Sequence, residues 1–324
     1  MKRLIFLVLL VLILAACGRE VYEPQAYEPT TPPQTEAAPA TPEGIHGLLS
    51  YVEYGGNRAY IFGSMHLGRP YFFPLADVAE DALRRADVFA FEFDMNEMET
   101  LEGAILMLQH MFLPENQTLQ TFLPAEVYQH FLEVLETFPL VNYEEITRMR
   151  PVAVSSMITA LEIFPVLGIY TEYSVDSYVL DFARARGREI IGLNPLFHEL
   201  SLLFNAPREV QIAAIATLTD RDSLLAEAYD LGLVQAYTNQ DMETLYKLLR
   251  GPEPTDAYSA YLIDVILIQR SMEFAAEIDR LLRETEEATT FFVTIGIGHM
   301  LGDDFGNVLV ALADLGHSVT NVVN

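Results

Sequence analysis

Three shortages narrow the field before any motif is read. The chain has a single cysteine, Cys17, so neither an internal disulfide nor a cysteine-based metal site can be built. It carries 19 Lys and Arg against 46 Asp and Glu. A mean field this negative repels polyanions, and no nucleic acid is expected as a partner. There is no phosphate-binding Gly-rich loop and no Gly-x-Ser-x-Gly elbow, which removes two common nucleotide and serine-hydrolase signatures. The uncharged apolar stretch from Leu4 to Ala16 is too short to cross a bilayer.

That stretch follows Met1-Lys2-Arg3 and closes on Leu14-Ala15-Ala16-Cys17-Gly18, the plan of a secretory signal. Its end resembles a bacterial lipobox, in which the cysteine is acylated and becomes the mature N-terminus, so Cys17 is the expected lipidation site. The alternative is a cleaved signal with an incidental cysteine beside the cut. Residues 1–16 are thus read as a lipoprotein signal peptide. Residues 17–43, rich in Pro, Thr, Glu, Gln and Ala, cannot bury a core and are read as a disordered tether. Residues 44–324 are then the folded domain. Loss of Lys2 and Arg3 leaves 17 basic residues against 46 acidic, a formal charge of −29. The expected location is extracytoplasmic, lipid-anchored to a bacterial membrane.

Within the domain, Leu48 to Glu53 and Arg58 to Gly63 read as a hairpin over Tyr54-Gly55-Gly56-Asn57. The second strand runs into Gly63-Ser-Met-His66. Leu75, Val78, Ala79, Ala82, Leu83 and Ala86 then recur at helical spacing, and Val88 to Phe93 follows as an apolar strand carrying Glu92. The C-terminus repeats the plan: a helix through Met272 to Leu282, a strand from Phe291 to Ile295, Gly296-Ile-Gly-His299, a helix through Val308 to Leu315, and a strand through Val319 to Val322. Between these units, Val175 to Ala185 reads as a helix with Ser174 as its cap and Gly187 closing it, leading to a strand from Glu189 to Leu193. Residues 97–172 and 207–250 are largely helical in period, with breaks at Pro114, Pro124, Pro139, Pro151 and Pro165. The expected fold is α/β: a central, mostly parallel sheet built from two strand-Gly-x-x-His-helix-strand units, with a helical cap or insertion.

Strands of such units point their carboxyl ends the same way, toward the edge where open α/β sheets bind ligands. His66 and His299 stand just past two strand ends, and Glu92 sits at the end of a third. Two neutral imidazoles and a carboxylate are a competent first shell for a divalent transition metal with a bound water. On the residues alone they are equally readable as hydrogen-bonding structural side chains. Arg270 sits among Ile266, Leu267 and Phe274 at helical spacing. If that face is buried, the guanidinium needs an anionic partner such as Glu92 or a reaction oxyanion; otherwise it is a snorkelling surface arginine. Asp303-Asp304 read as a helix cap, and His46, His110, His130, His198 and His317 as structural or exposed.

Taken together, the hairpin with Gly63-Ser-Met-His66, Ala86-Asp-Val-Phe-Ala-Phe-Glu92, Val175-Asp-Ser-Tyr178 with Gly187-Arg-Glu-Ile-Ile-Gly-Leu193, Gln269-Arg270 and Gly296-Ile-Gly-His299 through Gly302 to Gly316 resemble the TraB/GumN family. That family includes the pheromone-shutdown proteins and is related to the Tiki metalloproteases. The resemblance implies metal-dependent peptide hydrolysis, with His66, His299 and Glu92 at the metal and Glu92 and Arg270 as catalytic residues. The implied cofactor is a divalent ion, with manganese or cobalt indicated and zinc also a candidate. The implied partner is a peptide or protein substrate. A non-catalytic peptide-binding protein with the same polar pocket is the alternative. Two positions depart from the family pattern: Ser271 stands where Asn often follows the arginine, and Asn194 where a glutamate often follows Leu193.

Overall fold

The computed structural model describes residues 47–250, 253–302 and 306–322. The expectations for Cys17, for the signal at 1–16, for the tether at 17–43, for His46 and for Asp303-Asp304 lie outside the described residues. The chain begins with strands β1 (Leu48–Tyr54) and β2 (Asn57–Ser64). The turn between them places Gly55 and Gly56 at φ 60° and 100°, a conformation that costs glycine nothing and strains other residues. Helix α1 (Asp77–Arg85) then leads to β3 (Val88–Phe93), and helix α2 (Val175–Ala185) leads to β4 (Glu189–Asn194). After β4 come α3 (Leu196–Phe204), α4 (Leu233–Thr238) and α5 (Met242–Leu249). A π-helical stretch, Leu262–Gln269, runs directly into α6 (Arg270–Glu284). Strand β5 (Thr290–Gly296), helix α7 (Val308–Asp314) and strand β6 (Thr320–Asn321) complete the order.

The six strands form one sheet in the order β4-β3-β5-β2-β1-β6. β4, β3, β5 and β2 are parallel neighbours, while β1 is antiparallel to both β2 and β6. β6 therefore runs in the same direction as β5, so the C-terminal unit is of the expected strand-helix-strand type, although β2 and β1 lie between its strands. β6 is also shorter than the expected strand through Val319 to Val322. Because both sheet faces are covered, the central strands are apolar on both sides. Phe292 packs between Phe62 and Phe89 at ring distances of 5.9 and 6.0 Å. On the opposite face, Ile61, Val293 and Ile295 meet Phe274, Ile278 and Leu312. Burying one such side chain stabilises the fold by about 1.5–3 kcal/mol.

The helices that follow the two central strands take opposite faces. α1, after β2, packs through Ala79, Ala82 and Leu83 into the Phe292 cluster, whereas α7, after β5, packs through Val308, Ala311 and Leu312 into the Ile295 cluster. Chains departing to opposite sides from adjacent parallel strands open a crevice at the carboxyl edge, the usual ligand position in such sheets. Helices fill most of the chain between β3 and β4 and between β4 and β5. Pro124 and Pro151 stand at helix starts, as expected. Pro165 does not break its helix, because a π-helical turn, Thr159–Ile163, precedes it and shifts the hydrogen-bond ladder. No helix among the described residues is long and apolar enough to cross a membrane.

Candidate functional site

β2 and β5 pair in register, Gly63 opposite Ile295 and Ser64 opposite Gly296. Both chains therefore leave the sheet at one level, and the following turns carry His66 and His299 into the same crevice. β3 lies on the other side of β5 and adds Glu92 from its carboxyl end. These three side chains and Arg270 are all buried, with exposures of 4 % for His66, 5 % for Glu92, 0 % for His299 and 4 % for Arg270. Every predicted site residue within the described chain thus meets the others at one point.

Glu92 is the centre. Its Oε1 lies 3.7 Å from His66 Nε2 and 3.8 Å from His299 Nε2 and accepts the Gly296 N–H at 2.7 Å. Its Oε2 accepts from Arg270 Nη2 at 2.5 Å. Burial alone would raise the Glu92 pKa, but the Arg270 charge, the two imidazoles and the Gly296 N–H together hold it well below the usual carboxylate range. Gly296 adopts φ −54°, which any residue tolerates. The reason for glycine there is space: a Cβ would lie 2.8 Å from His66 Nε2 and 3.3 Å from Glu92 Oε1.

Each imidazole is oriented from behind. His66 Nδ1 donates to Asp176 Oδ2 at 2.9 Å, while Ser64 donates to Asp176 Oδ1 at 3.0 Å. His299 Nδ1 is 2.9 Å from the Ser271 hydroxyl, whose own proton goes to the Leu267 carbonyl at 2.6 Å. A hydroxyl has one proton, so Ser271 accepts here and His299 Nδ1 is the protonated nitrogen. In their neutral forms both rings thus turn an Nε2 lone pair toward Glu92. His299 Nε2 is fully buried and has no hydrogen-bond partner. Burial lowers the His299 pKa to about 3, with Arg270 adding to the effect and Glu92 opposing it. Burial pulls the His66 pKa down too, but the charge and hydrogen bond of Asp176, with Glu92, outweigh it and leave that pKa raised.

Arg270 is the buried arginine of the two readings, not the snorkelling one. It bridges Glu92 and a second carboxylate, Glu199 of α3, which meets Nη2 as an ion pair. Glu199 is wholly buried and receives Asn194 Nδ2 on Oε1 at 2.8 Å. Burial raises the Glu199 pKa, and nearby Glu92 pushes the same way against the charge of Arg270. Asn194, which cannot itself offer a carboxylate, thus donates to the one that Glu199 brings from the following helix.

Glu199 and Asp176 went unassigned in the sequence. Asp176 had a faint signal, an acid in the first turn of a helix capped by Ser174, whose hydroxyl does accept from Ser177 N–H. That position is ordinary for a surface acid, and only the fold turns it inward. Among the described residues the remaining histidines lie outside the site: His110 bonds Leu106 and Ser201, His130 the Leu218 carbonyl, His198 Glu273 and His317 Asp279.

The TraB/PrgY/gumN family profile matches residues 48–321. The chain belongs to the TraB/PrgY/gumN family. The match spans every strand of the sheet and every site residue described above. Among curated proteins and solved structures, nothing matches the chain. Within this family member, then, the roles of the site residues rest on geometry. Among the described residues no group of three or more His, Cys, Asp or Glu side chains forms a ready-made metal cluster. The donor chemistry nonetheless suits a divalent ion: two Nε2 lone pairs with fixed tautomers, one of them orphaned, face one carboxylate oxygen.

Proposed function

We propose that this TraB/PrgY/gumN family member is a lipid-anchored, extracytoplasmic hydrolase that uses a divalent metal ion to cleave a peptide bond. The observation that carries the reading is the orphaned His299 Nε2, because a buried nitrogen lone pair without a donor costs about 1–3 kcal/mol unless something fills it. His66, His299 and Glu92 would hold the ion, which when bound acidifies water and polarises a carbonyl.

The chain's own residues supply the rest. Asp176 and Ser271 fix the two imidazole tautomers. Arg270 keeps Glu92 ionised and oriented, and Glu199 balances the charge of Arg270. A carboxylate held this far into its ionised range is a weak base, so Glu92 suits a ligand role better than proton abstraction. With both of its carboxylates already engaged, Arg270 suits orienting Glu92 better than meeting an oxyanion. In the net reaction, water adds to the carbonyl carbon, the C–N bond breaks, and the amine leaves with a proton from that water.

Two measurements test this. Metal analysis of purified protein at neutral pH is expected to show one manganese, cobalt or zinc ion per chain, lost in His299→Ala. Cleavage of a peptide library with each added metal is expected in wild type and absent in that variant; equal cleavage by both would place the activity elsewhere. For the anchor, Cys17→Ser is expected to move the protein from membrane to soluble fractions, and unchanged partition would reject lipidation.

A further inference from the structure

Beside His66, and against the turn that leads to His299, lies a cavity of about 20 Å³, room for about one water molecule. Its floor is the backbone of both Gly-x-x-His turns, Ser64 to His66 and Gly296 to Gly298. Its walls are apolar: Met65 and Ile297 from the turns, and Leu233, Tyr237, Leu245 and Leu249 from α4 and α5. The one hydroxyl in that wall is occupied, since Tyr237 donates to the Gly63 carbonyl at 2.8 Å. Apart from His66 itself, no charged side chain reaches the lining. α5 is also fixed against the second turn, because Arg250, directly after it, donates to the Gly298 and Gly306 carbonyls.

We infer that this cavity seats a small, uncharged aliphatic side chain next to the bond that is cleaved, and that Leu233, Leu245 and Leu249 set its size limit. The inference rests on the hydrolase reading and names the substrate subclass that the same site takes. A charged side chain would be stripped of water against aliphatic walls with nothing to pair with. A side chain much larger than alanine's would overfill the water-sized space and press on Leu245 and Leu249, both packed into the main core, and overpacking such a site is costly. Leu249 also approaches the second turn closely, lying 3.8 Å from where a Cβ on Gly298 would stand.

The test uses the full chain in detergent with the metal that supports cleavage. Peptides of one frame carry Gly, Ala, Val, Leu, Phe or Lys beside the cleaved bond. Alanine and glycine peptides are expected to be cut at least about tenfold faster than leucine, phenylalanine or lysine peptides, the lower end of what one misfitting group costs. Leu249→Ala is expected to narrow the alanine-to-leucine ratio. Leu233→Ala, at a half-buried position less tied to the core, is expected to do the same if Leu249→Ala does not fold. Cleavage that depends on His299 but ignores side-chain size, or a ratio unchanged in the folded variants, would overturn the size limit and leave the hydrolase reading intact. Binding of alkyl hydroxamates, from aceto- to benzohydroxamate, separates the reverse case without turnover. If no peptide is cut with any metal, the hydrolase reading falls. A preference for acetohydroxamate that Leu249→Ala erases would then still support the size limit, and a flat ladder would sink it as well.

Discussion

The two Gly-x-x-His turns share a backbone plan and differ in what stands behind the ring. His66 is backed by a carboxylate, Asp176, brought by α2; His299 is backed by a neutral hydroxyl, Ser271, brought by α6. The consequence is opposite protonation behaviour in rings equidistant from the same Glu92 oxygen: one pKa is raised and the other falls to about 3. A repeated motif therefore fixes where an imidazole stands, while a residue far away in sequence decides which charge it holds. His299 is the ring held neutral down to about pH 3, and His66 is the one whose charged form is favoured.

The largest effect should come from the arginine behind the carboxylate that both imidazoles face. Arg270→Met leaves Glu92 and Glu199 buried without their cation, and stability in urea is expected to fall by about 3–5 kcal/mol; a loss below about 1 kcal/mol would show that Arg270 does not hold the two carboxylates in place.

The next test reads the contrast as opposite pH slopes. A histidine held neutral binds fewer protons folded than unfolded, so its contribution to stability is lost as pH falls from about 6.5 toward about 3. His299→Gln is expected to flatten the acid limb of the stability–pH curve by an amount on the order of a few kcal/mol. His66 has the reverse sign: its raised pKa gives a contribution present below its unfolded pKa and lost as pH rises through the folded value. His66→Gln should accordingly flatten the fall in stability as pH rises above the unfolded value of about 6.5, and equal slopes in the two variants would erase the distinction.

The smallest effects separate the two supports. Asp176→Asn is expected to weaken metal affinity by about 10–100-fold, the usual cost of losing a carboxylate behind a ligating histidine. Ser271→Ala removes two neutral hydrogen bonds, one from His299 Nδ1 and one to the Leu267 carbonyl, and is expected to cost about 1–2 kcal/mol in stability, with a smaller loss of affinity. Calorimetric metal titration of both variants measures the difference; a larger loss in Ser271→Ala would invert the ranking of the turns.

Local pattern carried much of the architecture in the sequence. Val88 to Phe93 and Phe291 to Ile295 are largely apolar, a glycine stands near the end of β2 and another closes β5, and the spacing of α1 and α6 is helical, so strand ends could be named from short-range pattern and the His, Glu and Arg of the site singled out as candidates, with structural roles left equally open. What could not be read was pairing across distance. Asp176 is 110 positions from His66, and Arg270 is 178 from Glu92. Glu199 looks like any acid in the first turn of a helix until the fold presses that turn against Arg270. What Gly296 is for could not be read either: its φ is unremarkable, and only the fold shows that the missing Cβ makes room for His66 and Glu92.

β5, encoded near the C-terminus, is the strand that joins β3 to β2. Before it is present, β4-β3 and β1-β2 are two fragments with open edges, and the crevice has only one of its two imidazoles. Synthesis of all but the last few dozen residues therefore leaves the His66–Glu92–His299 cluster unassembled. The strand order works as an assembly interlock: the buried cluster closes only when the C-terminal strand takes its place between β3 and β2.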